Sequence, residues 1–555
     1  MSADITALQK SMMEPDNLKP FTEKQVLFIN DTNGGSYNGS ITFDTTVLSN
    51  SGRYLDYSDA SIQIPIALSM RSTVDIVGAA GTVANAYMLG LKSGSHQLID
   101  SIQVDYQNKN VVQQQSFTNF YVSYKLMSEF SQDDLEKFGD AIGFYPDSPA
   151  SVKYSAGVDA NGDGVTNNAP YFVAKTFTNV SSIQGQNEGL AKRIENTAQV
   201  STGNGGVITT AASLAPIGKN QFQVIGGAGV AAIYAFYIIA TIRLKDICDF
   251  FDKIPLLKGA QIRMNINYNA NRTTIASIAG VSFGVSAVTP PVQLAGRTCP
   301  FIFTSGEAGQ PMAAVLALAD SVITVECNIR RTSVPDSQEH PSLTSCRLFV
   351  PAYTMSADIE AKYLTSSPIK TIVYDDIYQF TVTNTPANGT FNAILTNGIL
   401  NPQKLVIIPF YNSAAANNGA TVFDEFRSPF DSAPATTGPL TSITNFQVQV
   451  SGKNMFDHPV NYDFELFLNE VAKSGINGAQ TTGLTAGLIS RKHFQYSYRY
   501  YVCDLARRLQ SADSIPLSVQ ISGTNNSTKA VDYYCFVTYS RTISLEVASG
   551  VVVQG

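Results

Sequence analysis

The residues best suited to chemistry in this chain form the oxygen-rich run Asp159-Ala160-Asn161-Gly162-Asp163-Gly164. It sets oxygen ligands at the first, third and fifth positions and glycine at the sixth, as a calcium-binding loop begins. Such a loop needs a bidentate Glu at its twelfth position, where this chain has Pro170. With that ligand missing and no helical pattern on either side, a Gly/Asn/Asp turn is the favoured reading. The histidines, His96, His340, His458 and His493, are scattered, with no H-x-x-x-H pair, and Cys327, His340 and Cys346 do not match a zinc spacing. Cys248, Cys299, Cys327, Cys346, Cys503 and Cys535 contain no C-x-x-C motif, so reduced, buried thiols are expected. Gly226-Gly227-Ala228-Gly229 is not followed by Lys-Ser/Thr and is no phosphate loop. No nucleophile elbow or Ser-x-x-Lys set stands out. Asp375 and Asp376 are adjacent, so in a strand they point to opposite faces and cannot act together as acid and base. The expectation is therefore no enzyme: no catalytic residues, no cofactor and no metal site.

The elements around these residues centre on Tyr234 to Tyr268. Ala235 to Leu244 is nearly all apolar, as in a buried strand reaching its wetter end. Ile247, Phe250 and Phe251 then fall on one face of a short helix, with Lys245, Asp249, Asp252 and Lys253 on the other, and Pro255 ends it. From Ile262 to Tyr268 apolar residues alternate with polar ones, predicting a half-buried strand. A similar series recurs near the C-terminus: a strand from Tyr496 to Val502, a helical turn from Asp504 to Leu509, and alternation at Leu517, Val519 and Ile521. Ile515-Pro516-Leu517 repeats Ile254-Pro255-Leu256, so the order of elements predicts two similar β domains in tandem.

Composition agrees. The 555 residues exceed one ordinary core, only 15% are charged, Trp is absent, and β-branched or aromatic residues are interleaved with Ser, Thr, Asn and Gly. A net charge of −7 argues against coating nucleic acid, and Arg330-Arg331, Arg491-Lys492 and Arg507-Arg508 read as solvated pairs. Neither a secretory leader nor an apolar run of spanning length is visible, since Val224 to Ala240 is short and broken by glycines. A soluble protein made in a cytosol-like compartment is expected.

Along the chain, residues 1–24 read as an N-terminal arm, 25–290 as a first jelly roll, 291–320 as a linker and 321–555 as a second jelly roll. Pro65, inside the alternating run Ile62 to Leu68, is expected at a sheet edge or bulge. Phe117, Tyr121 and Tyr124, then Leu135 and Phe138, have helical spacing, with Ser131 and Asp134 placed as a capping box. Ala141 to Lys219 and Asn412 to Leu440 are long small-residue connections. Ile543, Leu545 and Val547 are expected to alternate outward to solvent. Roughly eight strands per half, with uneven connections, predict an all-β fold of two tandem eight-stranded jelly rolls with short helices in the connections.

Four segments resemble the double jelly-roll major capsid proteins of polinton-like viruses and virophages: Ile242 to Gly259, Cys346 to Phe380, Thr396 to Phe410, and Tyr498 to Gly550. The resemblance touches both halves and leaves out the two long connections and the N-terminal arm. It implies a structural subunit that forms pseudo-hexagonal homotrimers and assembles an icosahedral DNA-virus shell. It further implies a place in the virion, synthesis in the host cytosol or a viral factory, and partners that are copies of itself, penton and minor capsid proteins. No sequence-specific nucleic-acid binding is expected. The alternative reading is a glycan-binding or adhesive β-sandwich surface protein, for which exposed Asn, Tyr and Gly-rich loops would be the binding elements.

Overall fold

A computed structural model of the chain describes residues 21–72, 87–146, 188–196, 223–225, 233–277, 285–305, 322–329, 345–366, 368–412, 441–473, 485–496, 498–507, 515–527 and 530–554. Two sandwiches account for most of them. In the first, eight principal strands follow in order: Phe21–Asn30, Ser40–Asp44, Ser61–Ser72, Ile99–Tyr106, Lys109–Gln113, Ile233–Arg243, Ile262–Tyr268 and Arg347–Met355. They pair antiparallel in the order 1-8-3-6 in one sheet and 2-7-4-5 in the other. The second sandwich uses Ile369–Thr385, Thr390–Ile399, Pro402–Tyr411, Ile443–Val450, Lys453–Asn454, Tyr501–Asp504, Leu517–Asn525 and Val531–Glu546. Its orders are again 1-8-3-6 and 2-7-4-5. This is the Greek-key arrangement of a jelly roll, present twice.

Side-chain period explains the layering. Ile262, Met264, Ile266 and Tyr268 are buried and the residues between them exposed, so one face of that strand closes the core and the other meets water. Leu405 to Ile408 is buried throughout, because helices from the first roll cover the sheet's outer face. Ile247, Phe250 and Phe251 are buried as the helical spacing requires, in two short helices, Leu244–Ile247 and Asp249–Lys253.

Three expectations differ from the structure. The span 291–320 is no simple linker: Val285–Ala295 and Phe301–Ser305 are paired strands. Val322–Ile329 and Arg347–Met355 join the first roll's sheet, so sheet membership changes across the helix Ala357–Ser366 instead. A large insertion between strands seven and eight had hidden the closing strand of the first roll. Pro65 lies in an internal strand, paired with Ile239 on one side; on the other it falls where the partner changes from Arg347↔Gln63 to Ile329↔Ile66. The break in the ladder leaves no bond for the N–H that proline lacks. Finally, Ile543, Leu545 and Val547 do not face solvent but are buried, the first two in the first roll's core.

Candidate functional site: the junction of the two jelly rolls

The helix Thr118–Glu129 follows the first roll's fifth strand and continues into Gln132–Ile142. The expected capping box is present: Ser131 Oγ accepts from the Asp134 N–H at 3.1 Å, and Asp134 Oδ2 accepts from the Ser131 N–H at 3.0 Å. Helical spacing sends Phe117, Phe120, Tyr121 and Tyr124 onto the second roll. Phe117 meets Tyr534 with ring centroids 5.1 Å apart, Phe120 meets Phe410 at 5.0 Å, Tyr121 meets Phe536 at 5.8 Å and Tyr124 meets Tyr500 at 5.1 Å. An aromatic seam thus joins a helix of one sandwich to the outer sheet face of the other.

Beside the seam is a cleft of about 430 Å³ lined chiefly by charged residues. Arg243 donates twice to Asp246, at 2.7 and 2.9 Å, and Lys125 Nζ donates to the Lys245 carbonyl at 2.8 Å. Asp375 joins the rolls here: its N–H donates to Asp249 at 3.0 Å, and its carboxylate accepts from Ser540 Oγ at 2.8 Å. Burial lowers the Lys404 pKa against the pull of Glu129 and Asp375. Burial also works against the Lys125 ammonium, but Glu129, Asp246 and Asp249 outweigh it and its pKa rises. The lining sets five cationic against six acidic side chains, a polar joint with a formal surplus of one negative charge.

Further down, the second roll's first and last strands run on as a two-stranded ribbon across the first roll. Ile372, Tyr374, Ile543 and Leu545 complete the first roll's core. At the crossing, Asp376 is fully buried and accepts from Arg541 Nη1 at 3.1 Å and Tyr539 Oη at 3.2 Å. Arg541 also donates to the Val111 and Asn110 carbonyls at 2.8 and 3.0 Å, and Tyr374 Oη donates to Val111 at 2.7 Å. Burial raises the Asp376 pKa, with the Ile377 N–H and Arg541 opposing it. The adjacent aspartates therefore face opposite ways, as strand geometry requires: Asp375 into the cleft, Asp376 into the clamp. Tyr106 Oη donates to the Gly550 carbonyl at 2.5 Å, tying down the chain beyond the ribbon.

Among the described residues no group of three His, Cys, Asp or Glu is placed to hold a metal ion. All six cysteines are buried, and none is in a disulfide. Asp159 to Gly164, Gly226 to Gly229, Arg330-Arg331 and His340 lie outside the described residues. Arg491 and Lys492 are exposed, as expected, but Arg507 reaches the buried carboxylate of Glu470. Among the described residues no helix is long and apolar enough to cross a membrane. Sequence reading passed over Gly280-Val281-Ser282-Phe283-Gly284, which has the G-x-S-x-G spacing. It connects the antiparallel strands Ala270–Ser277 and Val285–Ala295, whereas a nucleophile elbow connects a strand to a helix. It also missed the helix Phe464–Lys473, although Phe464, Phe467 and Val471 keep helical spacing.

Among the described histidines, His96 is the one set in a buried polar network. Its Nε2 lies 2.7 Å from Ser123 Oγ and 3.2 Å from Ser93 Oγ, beside Gln97, which accepts from Asn119 Nδ2 at 2.9 Å. Burial, with Arg193 adding to it, pulls its pKa down from 6.5 to about 3. The fold accepts only the neutral ring, so its contribution is whole above pH 6.5 and is lost as pH falls toward 3. The loss approaches about 1.4 kcal/mol per pH unit. Melting of the parent and of His96→Gln between pH 7 and 4 is expected to show a smaller acid-dependent loss in the variant; parallel curves would remove His96 from the effect.

Two sandwiches of one strand order in a single chain define the double jelly-roll fold. That fold is shared with a solved virus structure. A chain in the cryo-EM structure of the Sputnik virophage matches with a TM-score of 0.51 at 11% identity, covering 97% of this chain and 89% of that one. The mavirus major capsid protein matches with a TM-score of 0.44 at 10% identity, over 98% of this chain and 93% of that one. The faustovirus major capsid protein gives 0.41 at 9% identity, over 97% and 94%. No protein-family model and no curated protein matches the sequence. The likeness is one of fold, and it bears out the resemblance to double jelly-roll major capsid proteins.

Proposed function

We propose that the chain is a major capsid protein, a structural subunit working as a homotrimer in the icosahedral shell of a DNA virus of the virophage and polinton-like kind. The observation carrying this reading is the repeated strand order. Three copies related by a threefold axis set six similar sandwiches around a ring, and such a pseudo-hexagonal block tiles a surface with few distinct contacts. We take the rolls as residues 21–355 and 369–554, with the helix Ala357–Ser366 between them. In each roll the connections after strands one, three, five and seven share one end, by the alternation of strand direction. The long connections 141–219 and 412–440 fall between strands five and six of the first roll and strands three and four of the second, both of that set, and we assign them to the outer surface. Neighbouring capsomers, penton and minor capsid proteins are the partners of this reading, and the virion its location. No catalytic role belongs to it.

Light scattering after size exclusion tests the proposal. The expected mass is three times the 59.7 kDa chain, with hexagonal outlines in negative-stain images. A chain that stays monomeric at micromolar concentration, and binds a glycan array saturably, would replace this reading with the adhesive one.

A further inference from the structure

An asparagine that precedes glycine is open to spontaneous loss of its side-chain amide, because glycine has no Cβ to keep its nitrogen away from the asparagine Cγ. Four such pairs lie among the described residues: Asn33-Gly34, Asn38-Gly39, Asn388-Gly389 and Asn397-Gly398. Three are restrained. Asn33 has both side-chain atoms engaged, Oδ1 accepting from the Thr42 N–H and Nδ2 donating to the Ser40 carbonyl, each at 2.9 Å. Asn388 sits in a tight turn where the attacking nitrogen, that of Gly389, already donates to the Pro386 carbonyl at 2.9 Å. Asn38 is exposed, but the glycine after it is fixed. Gly39 has a φ of +95°, its carbonyl accepts from the Tyr268 N–H at 3.1 Å, and Ala295 Cβ lies 3.5 Å from where its own Cβ would stand.

Asn397 escapes all three restraints. It is exposed, and no hydrogen bond engages its side-chain amide. The second roll's second strand pairs Thr396 with Val519 and Ile399 with Leu517, so Asn397 and Gly398 bulge out of the register opposite Ser518. Ser518 is turned away from them, its carbonyl accepting from the Ser451 N–H at 2.9 Å. The Gly398 N–H makes a long bond to Thr396 Oγ1, at 3.4 Å. Nothing lies within 4 Å of where a Gly398 Cβ would stand, so the nitrogen is free to swing toward its neighbour's side chain. Gly398 also opens onto a groove of about 600 Å³ between the rolls, lined by Lys109 and Arg541 and, among the described residues, by no acidic side chain. Asp376 takes up the charge of Arg541, and Lys109 is left to favour negative charge as it develops nearby.

We propose that Asn397 deamidates spontaneously in the folded subunit. The Gly398 nitrogen gives up its proton and bonds to Asn397 Cγ, the Cγ–Nδ2 bond breaks and ammonia leaves, closing a succinimide ring. Water then opens the ring at either carbonyl, leaving aspartate or isoaspartate, and no oxidant or enzyme takes part. The product adds a carboxylate at the edge of the groove between the rolls. As isoaspartate it also lengthens the backbone by one carbon, within a bulge where the ladder is not disturbed.

The test uses the full-length chain, incubated folded in mildly alkaline buffer, digested at acidic pH and mapped by mass spectrometry, with isoaspartate read by methyltransferase labelling. Asn397 is expected to gain one mass unit before Asn38 does, with Asn33 and Asn388 the slowest. The same incubation in urea removes the restraints, and the four pairs are expected to convert at similar rates. Gly398→Ala, for which the structure has room, is expected to slow conversion at Asn397 several-fold and to melt within a few degrees of the parent. Folded chain in which Asn33, Asn38 or Asn388 converts as fast as Asn397 overturns the proposal, as does a Gly398→Ala chain that loses the amide at the parent's rate. The outcome is independent of the capsomer reading, because each rate is measured within one chain.

Discussion

Replacing Arg541 with alanine is expected to lower stability by roughly 3 kcal/mol, because removing one partner of a buried ion pair strands the other. Asp376 has no exposed side-chain surface, whereas Arg541 is a third exposed, which puts the cost at the lower end of that range. The loss reaches beyond the pair. Arg541 also holds the Val111 and Asn110 carbonyls, so the ribbon of the second roll comes loose from the first. Urea denaturation at pH 7 gives the magnitude. Hydrogen exchange is expected to quicken at 369–376 and 540–546 before it does elsewhere. The difference from the parent narrows in acid: with the cation gone, Asp376 takes up a proton at higher pH, and a neutral carboxyl tolerates burial better than a charged one. A loss below about 1 kcal/mol, or one that does not vary with pH, would mean that the clamp does not couple the rolls.

Phe120→Ala is expected to cost about 3–5 kcal/mol, the usual range for emptying a buried phenyl site. The ring is 3% exposed and packs against Phe410, Tyr534 and Phe117, so its neighbours belong to both rolls. Calorimetry would then show the parent's single transition dividing, as the rolls begin to unfold separately. A merely lowered single transition would place the ring in one roll's core rather than in the joint.

Much of this fold was legible because burial alternates where strands have one wet face. Ile262 to Tyr268 shows its buried positions directly, and Ser131 with Asp134 announced a helix start that the structure contains. What stayed hidden depends on partners remote in sequence. Val322–Ile329 and Arg347–Met355 are strands, but nothing local says which sheet a strand joins; the choice was made by Ser61–Ser72, more than two hundred residues earlier. Ile543 and Leu545 have the pattern of a strand with one wet face because the covering surface comes from the other roll. The candidate site was the least legible part. A charged cleft and an aromatic seam are assembled from single residues on five or more elements, and Lys404 or Tyr534 carries no signal of its own. The absence of a convincing motif for catalysis was a sound guide only as far as composition and spacing reach, as the overlooked Gly280 to Gly284 run shows.

The ribbon sets an order of events during synthesis. The first strand, Phe21–Asn30, pairs among the described residues with 347–355, and the first core is sealed by Ile543 and Leu545. At about 5–20 residues per second, the ribosome keeps the earliest strand waiting tens of seconds for its neighbour. The last residues of that core, Ile543 and Leu545, are made almost two hundred residues later still. The amino-terminal sandwich therefore cannot be complete before residue 545 has left the ribosome, and until then its open edge is the part of the nascent chain most in need of a chaperone.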